Sequence, residues 1–272
     1  MIKFMELKDL RKELKLPVSV LKNTIDRTTN SQKSWVNTLD TSIEEYAKKL
    51  KNRTLNYLTF GSCISDNGVC VIGFNSETNG KFAALTLAKM AEKIAIEVLK
   101  NQKQIKPMEL LQTFAYVQDD LIAQLGENIL LSYVYLDSKN GISPLNTSYY
   151  SPNNHIGCVA TLEGGDNLDV SKIAKIVAQN AVCYYGDFWE TYKSIRKMCS
   201  DITDENFKKY LPDFVSYLLK QPLFFSDEGI ACDLWGRKKS QISIKDFLDQ
   251  KSEALGTNNN LVLQNVKICC SL

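Results

Sequence analysis

The stretch Tyr57-Leu58-Thr59-Phe60-Gly61-Ser62-Cys63-Ile64-Ser65-Asp66-Asn67-Gly68-Val69-Cys70-Val71-Ile72-Gly73-Phe74 decides the fold. Two strand-like runs flank Asn67-Gly68. An Asn-Gly in that setting predicts a hairpin closed by a type I′ turn, which needs positive φ at its central residues. A polar loop, Asn75 to Lys81, then delivers the chain to a helix with Leu87, Met90, Ala91, Ile94 and Val98 on one face. A second helix is expected over 107–124 and a strand from Ile129 to Leu136.

The second half repeats the theme loosely. His155 to Leu162 reads as a strand, and Gly164-Gly165-Asp166 as a turn. Val170, Ile173, Ala174, Val177 and Ala181 form a helical stripe, mixed helices cover 186–220, and Leu261 to Leu263 with Val266 to Cys270 read as a closing strand. Upstream, Leu7, Leu10, Leu14 and Leu21 mark amphipathic helix interrupted by Pro17. Ile25 continues the apolar series, Trp35, Val36 and Leu39 mark another helix, and residues 43–53 form a basic helical connector. The expected class is α+β. A three-helix module over 1–50 precedes a core of two subdomains, 55–145 and 150–272, with antiparallel sheets.

Composition narrows the function. The 272 residues carry 33 Lys and Arg against 31 Asp and Glu, a net charge of +2, so charge gives no argument for nucleic-acid or membrane binding. No apolar run approaches the ~20 residues of a membrane helix. Met1 to Lys15 mixes acidic and basic residues, unlike a secretory signal or an organelle transit peptide. The chain is expected to work where it is made, or else to lack a transit peptide in this form.

Eight cysteines are scattered, mostly in apolar runs, and His155 is the single histidine, so neither a disulfide framework nor a zinc site is expected. Cys63, Cys70, Cys158 and Cys183 are expected to be core thiols. Nucleotide-loop, nucleophile-elbow and metalloprotease motifs are absent. Cys158 and His155 lie three apart on a strand and point to opposite faces. Asp119-Asp120 reads as a solvated helix face, and Tyr149-Tyr150 and Tyr184-Tyr185 as core or interface aromatics. No catalytic residue, metal or cofactor is expected. Glu77-Thr78-Asn79-Gly80-Lys81-Phe82 can be read as a plain helix start capped by Thr78 or Asn79, or as a partner-binding loop.

Several motifs, in order and over most of the chain, resemble elongation factor Ts. Lys8-Asp9-Leu10-Arg11, with Leu21-Lys22 and Ile25, resembles the family's opening KELR…KKAL and its small ubiquitin-associated-like helical domain. Ala47-Lys48-Lys49 and Arg53 resemble its basic connector. Asn75 to Ile94 aligns without a gap on N-x-E-T-D-F-V-A…F-x-x-x-A-x-x-(I/V). Leu125-Gly126-Glu127-Asn128-Ile129 matches IGENI. Tyr150 with His155-Ile156-Gly157 resembles Y-x-H…R-I-G, and Leu218-Leu219-Lys220-Gln221-Pro222 matches LLxQP. Asn79 and Gly80 stand where the family's loop has Asp and Phe.

The resemblance implies a guanine-nucleotide exchange factor for elongation factor Tu, or a degenerate homologue that acts as a non-exchanging binding or scaffold protein of a translational GTPase or of the ribosome. The GTPase, not this chain, would hold the nucleotide. Partner-binding residues would be Leu10, Arg11, Thr78, Asn79, Gly80, Lys81, Phe82, His155, Ile156 and Gly157. Phe82 would substitute for the ring missing at Gly80. The compartment implied is a mitochondrial or other organelle matrix, or a bacterial cytoplasm.

Overall fold

The N-terminal segment folds as three helices, α1 (Leu7–Leu14), α2 (Val18–Ser31) and α3 (Trp35–Leu50). The computed structural model describes residues 7–31, 34–101, 109, 112–137, 147–151, 156–164, 168–198, 213–226, 229–230, 242–256 and 260–270. Lys15 leaves α1 with a φ of 55°, the left-handed conformation that ends helices, and Pro17 separates α1 from α2. Leu16, Val20, Leu21 and Ile43 form the buried core of this segment, flanked by Leu7, Leu10, Leu14, Leu39 and Tyr46. Ala123, from α5 (Ala115–Leu125), closes that core, so the three helices are packed on the element behind them. Val36, on the outer side of α3, points to solvent.

β1 (Tyr57–Ser65), β2 (Gly68–Ser76) and β3 (Ile129–Asp137) form a sheet in that order. The hairpin is where the Asn-Gly predicts it, but its turn is not type I′. Asp66 and Asn67 have negative φ, and the positive φ, 125°, falls on Gly68. The Asn67 amide explains part of this choice, since it donates to the Leu99 carbonyl at 3.1 Å. β2 is buried almost throughout. α4 (Lys81–Lys100) follows it and buries Ala83, Leu87, Ala91, Ile94 and Val98, while Met90 of the expected stripe is only half-buried. α4 lies directly on β1 at Gly61. A Cβ there would sit 2.4 Å from both the Ala88 carbonyl oxygen and the Glu92 nitrogen. On the other face, Phe60 packs edge-on against Tyr133, centroids 5.2 Å apart, over the open position at Gly73.

Beside the three helices, Lys51 pairs with Asp119 of α5 at 2.7 Å. Asp120 is exposed, and the partial loss of hydration that it does suffer, reinforced by Asp40 and Asp119, raises its carboxyl above the usual carboxylate range. A folded pKa above the unfolded one means that ionised Asp120 costs stability above the folded value. That cost disappears as pH falls below the unfolded value. Asp120→Asn is therefore expected to be more stable than the parent at neutral pH, with the gap closing on acidification. Urea midpoints across the carboxylate range check this.

The second sheet runs β4 (Thr147–Tyr150), β5 (Gly157–Glu163), β8 (Val262–Cys269), antiparallel throughout, with a bulge between Thr161 and Leu162. α6 (Leu168–Met198) packs on it through Val170, Ile173, Ala174, Val177 and Ala181, as the stripe predicts. α7 (Phe214–Leu219), a short β6–β7 pair (Phe225–Ser226 and Gly229–Ile230) and α8 (Ile244–Leu255) complete the order. The segment matching LLxQP is held by its backbone. Tyr184 donates to the Pro222 carbonyl at 2.6 Å, and the Gln221 carbonyl accepts from Ile244 N at 2.9 Å.

Buried Asn180 is satisfied on both ends of its amide. It donates to Ile176 O and Phe225 O and accepts from the amides of Phe224 and Phe225. Asn180→Ala leaves buried backbone groups unpaired and is expected to cost about 1–3 kcal/mol, read from chemical denaturation.

Contacts group the chain into two compact units. One comprises Met1–Gly61, Ile72–Ile94 and Gln104–Val134; the other comprises Ser62–Val71, Ala95–Lys103 and Tyr135–Leu272. The architecture is α+β with antiparallel sheets and a helical N-terminus. Among the described residues no helix is long and apolar enough to cross a membrane. Cys70 and Cys158 are buried as expected, and Cys63 is half-buried. Cys183 departs from the expectation and is exposed. The buried stripe of α6 passes through Ala181 and Tyr184, and ~100° per residue turns Cys183 away from it.

Candidate partner-binding cleft

The polar loop before α4 is tied down by the segment matching IGENI. Gly126 ends α5 in the left-handed conformation, φ 73°, and its amide bonds back to Ile122 O. The next two side chains then turn inward, and both are buried. One Glu127 carboxylate oxygen accepts from the Thr78 amide and the Thr78 hydroxyl, each at 2.8 Å. The Asn128 amide donates to the carbonyls of Lys51 at 3.1 Å and Arg53 at 2.5 Å. Glu77 N donates to Asn128 O at 3.2 Å, and the Glu77 carboxylate meets Arg53 at 3.3 Å. Three backbone segments, the end of α3, the loop and the α5–β3 turn, are thereby fixed to one another.

Thr78 stands two residues ahead of the residue that precedes α4, and its hydroxyl donates to Glu127. Gly80 occupies the position before the helix, and its carbonyl accepts from Ala84 N at 2.9 Å. Thr78, Asn79, Gly80 and Lys81 are all exposed. Phe82, the second residue of α4, is 74% exposed, far more than the core rings among the described residues.

Phe82 borders a cleft of about 770 Å³ in the first unit. Its apolar lining comes from Leu16, Pro17, Met90 and Leu125 beside the ring. Its cations are Arg11 and Lys15 from the end of α1, and Lys89 and Lys93 from α4. Thr86, Gln124 and Gly126 complete it, and among the described residues no carboxylate lines it. Such a surface offers apolar area to a partner and repels a basic one.

Of the residues expected from sequence, Arg11 and Phe82 come together here. Leu10 is half-buried and belongs to the packing of the helical segment. Thr78 is fixed by Glu127, with Asn79, Gly80 and Lys81 following it in the exposed loop. Ile156 and Gly157 lie in the second unit, and His155 lies outside the described residues. The Ile156 carbonyl accepts from Ser151 at 2.6 Å. Gly157 is needed for packing, because a Cβ there would lie 2.4 Å from the Tyr149 hydroxyl.

Sequence reasoning missed Lys15, Lys89, Lys93 and the pins Glu127 and Asn128. The signal for the α4 pair was present. Phe82, Thr86, Lys89 and Lys93 recur at helical spacing opposite the apolar stripe. No protein-family model matches the chain, and no curated protein matches it.

Proposed function

We propose that this chain is a guanine-nucleotide exchange factor of the elongation factor Ts type, which binds a Tu-type GTPase and speeds release of its GDP in an organelle matrix or bacterial cytoplasm. The observation that carries the reading is Phe82: a large apolar ring left mostly exposed at the edge of the cleft, at the start of a helix whose preceding loop is pinned by Glu127. An exposed ring on a braced support suits a residue that inserts into a partner and costs little to order. The ordered motifs of the sequence supply the partner class.

The proposed mechanism is negative coupling between two ligands of one GTPase. Binding of this chain and binding of GDP each weaken the other by the same factor. The reaction makes and breaks no covalent bond, so it needs no nucleophile or general base from this chain.

Stopped-flow release of a fluorescent GDP from a Tu-type GTPase tests the reading. Release is expected to accelerate with added protein and to saturate. A rate independent of the protein, with complex formation intact, would leave the second reading, a binder that does not exchange nucleotide. The replacement of the family's Asp and Phe by Asn79 and Gly80 is the observation that favours that reading.

A further inference from the structure

We propose that Cys63 and Cys70 form a dithiol site that reacts with low-molecular-weight disulfides and closes a reversible cross-strand disulfide in the β1–β2 hairpin. Ser65 and Gly68 flank the two-residue turn, so Cys63 and Cys70 each stand two residues from it on neighbouring strands. Since Gly61 faces α4 while Gly73 faces the Phe60 ring, alternation puts both thiols on the α4 face, as cross-strand neighbours. Residues opposite each other on an antiparallel ladder have Cα atoms about 4.5–5.5 Å apart, with side chains on the same face. A disulfide accommodates Cα separations of about 4.4–6.8 Å.

The pair is asymmetric. Cys63 sits half-buried on the edge strand, and Cys70 is buried on the central one. Burial, with a smaller contribution from Cys63, pushes the Cys70 thiol up to about 12, so Cys70 does not begin the reaction. Cys63, as thiolate, attacks one sulfur of the small disulfide and expels one small thiolate. The Cys70 thiol then gives its proton to that thiolate or to water and attacks the Cys63 sulfur, expelling the second small thiolate, which takes up from water the proton that Cys63 released. The two protein thiols are oxidised to one disulfide, and one small disulfide is reduced to two thiols.

Cys158 and Cys269 do not share this geometry. Cys158 lies opposite Ile268 and Cys269 opposite Gly157, so strand alternation puts the two thiols on opposite faces.

The test is to incubate the full chain with oxidised glutathione and map its peptides without reduction. The expected result is a linked Cys63–Cys70 peptide, lighter by two hydrogens and restored by dithiothreitol. In Cys70→Ser the linked peptide is lost and a glutathione adduct persists on Cys63. In Cys63→Ser neither forms at Cys70. The proposal is overturned if the parent keeps a stable adduct on Cys63 without linkage, or if Cys63 links to another cysteine first. It is equally overturned if neither thiol reacts while exposed Cys183 is modified. Should Cys70→Ser fail to fold, the parent map and the Cys63→Ser variant still decide the matter.

Discussion

Gly61→Ala is expected to lower stability by about 3 kcal/mol or more, at the upper end of what overpacking costs. The atoms it would meet are the reason. The new Cβ would lie 2.4 Å from the Ala88 carbonyl oxygen and from the Glu92 nitrogen, and 2.9 Å from the Ala91 Cβ. Backbone cannot swing aside as the end of a side chain can, so α4 must lift off β1. That shift would carry Phe82 and the cleft residues of α4 with it. The urea midpoint measures the stability, and GTPase binding by the remaining folded fraction measures the displacement. An unchanged midpoint would contradict the close seating of α4 on β1.

Phe82→Ala is expected to separate function from folding. A ring 74% exposed contributes little to the core, so stability should change by no more than about 0.5 kcal/mol. If the ring is buried in the partner, its loss forfeits roughly 1.5–3 kcal/mol of apolar burial. About 1.4 kcal/mol is one decade, so stimulated GDP release should fall about 10-fold or more. The complementary variant joins Asn79→Asp with Gly80→Phe. A Cβ at Gly80 would meet only Thr78 Oγ1, at 3.7 Å, and Gly80 is not in the left-handed region, so the chain accommodates the ring. Faster release by this variant would show that the loop faces the partner. Unchanged release, with folding intact, would place the coupling elsewhere.

The hairpin, the helix after it and the helical N-terminus were legible in the sequence because turn chemistry and apolar periodicity are local signals. The turn type was not. Asn67-Gly68 specifies a bend, but the Asn67 side chain is also used by Leu99, far along the chain, and the positive φ moved onto Gly68. Thr78 misled for the same kind of reason. A threonine shortly before a helix reads as a cap, but α4 begins only at Lys81, and the Thr78 amide and hydroxyl both donate to a buried carboxylate 49 residues away. Glu127 and Asn128 were visible as a motif, but their role depends on which segments the fold brings against them. The cleft depends on α1 and α4 bringing together cations that are far apart in sequence. Cys63 and Cys70 read as scattered because linear spacing does not register a turn placed midway between them.

Exchange is tested by a calorimetric titration of a Tu-type GTPase with this chain, once in excess GDP and once with nucleotide and Mg²⁺ removed. Markedly tighter binding to the empty GTPase is expected, because exchange requires that GDP and this chain weaken each other. Equal affinity under the two conditions would mean zero coupling and would contradict the exchange function.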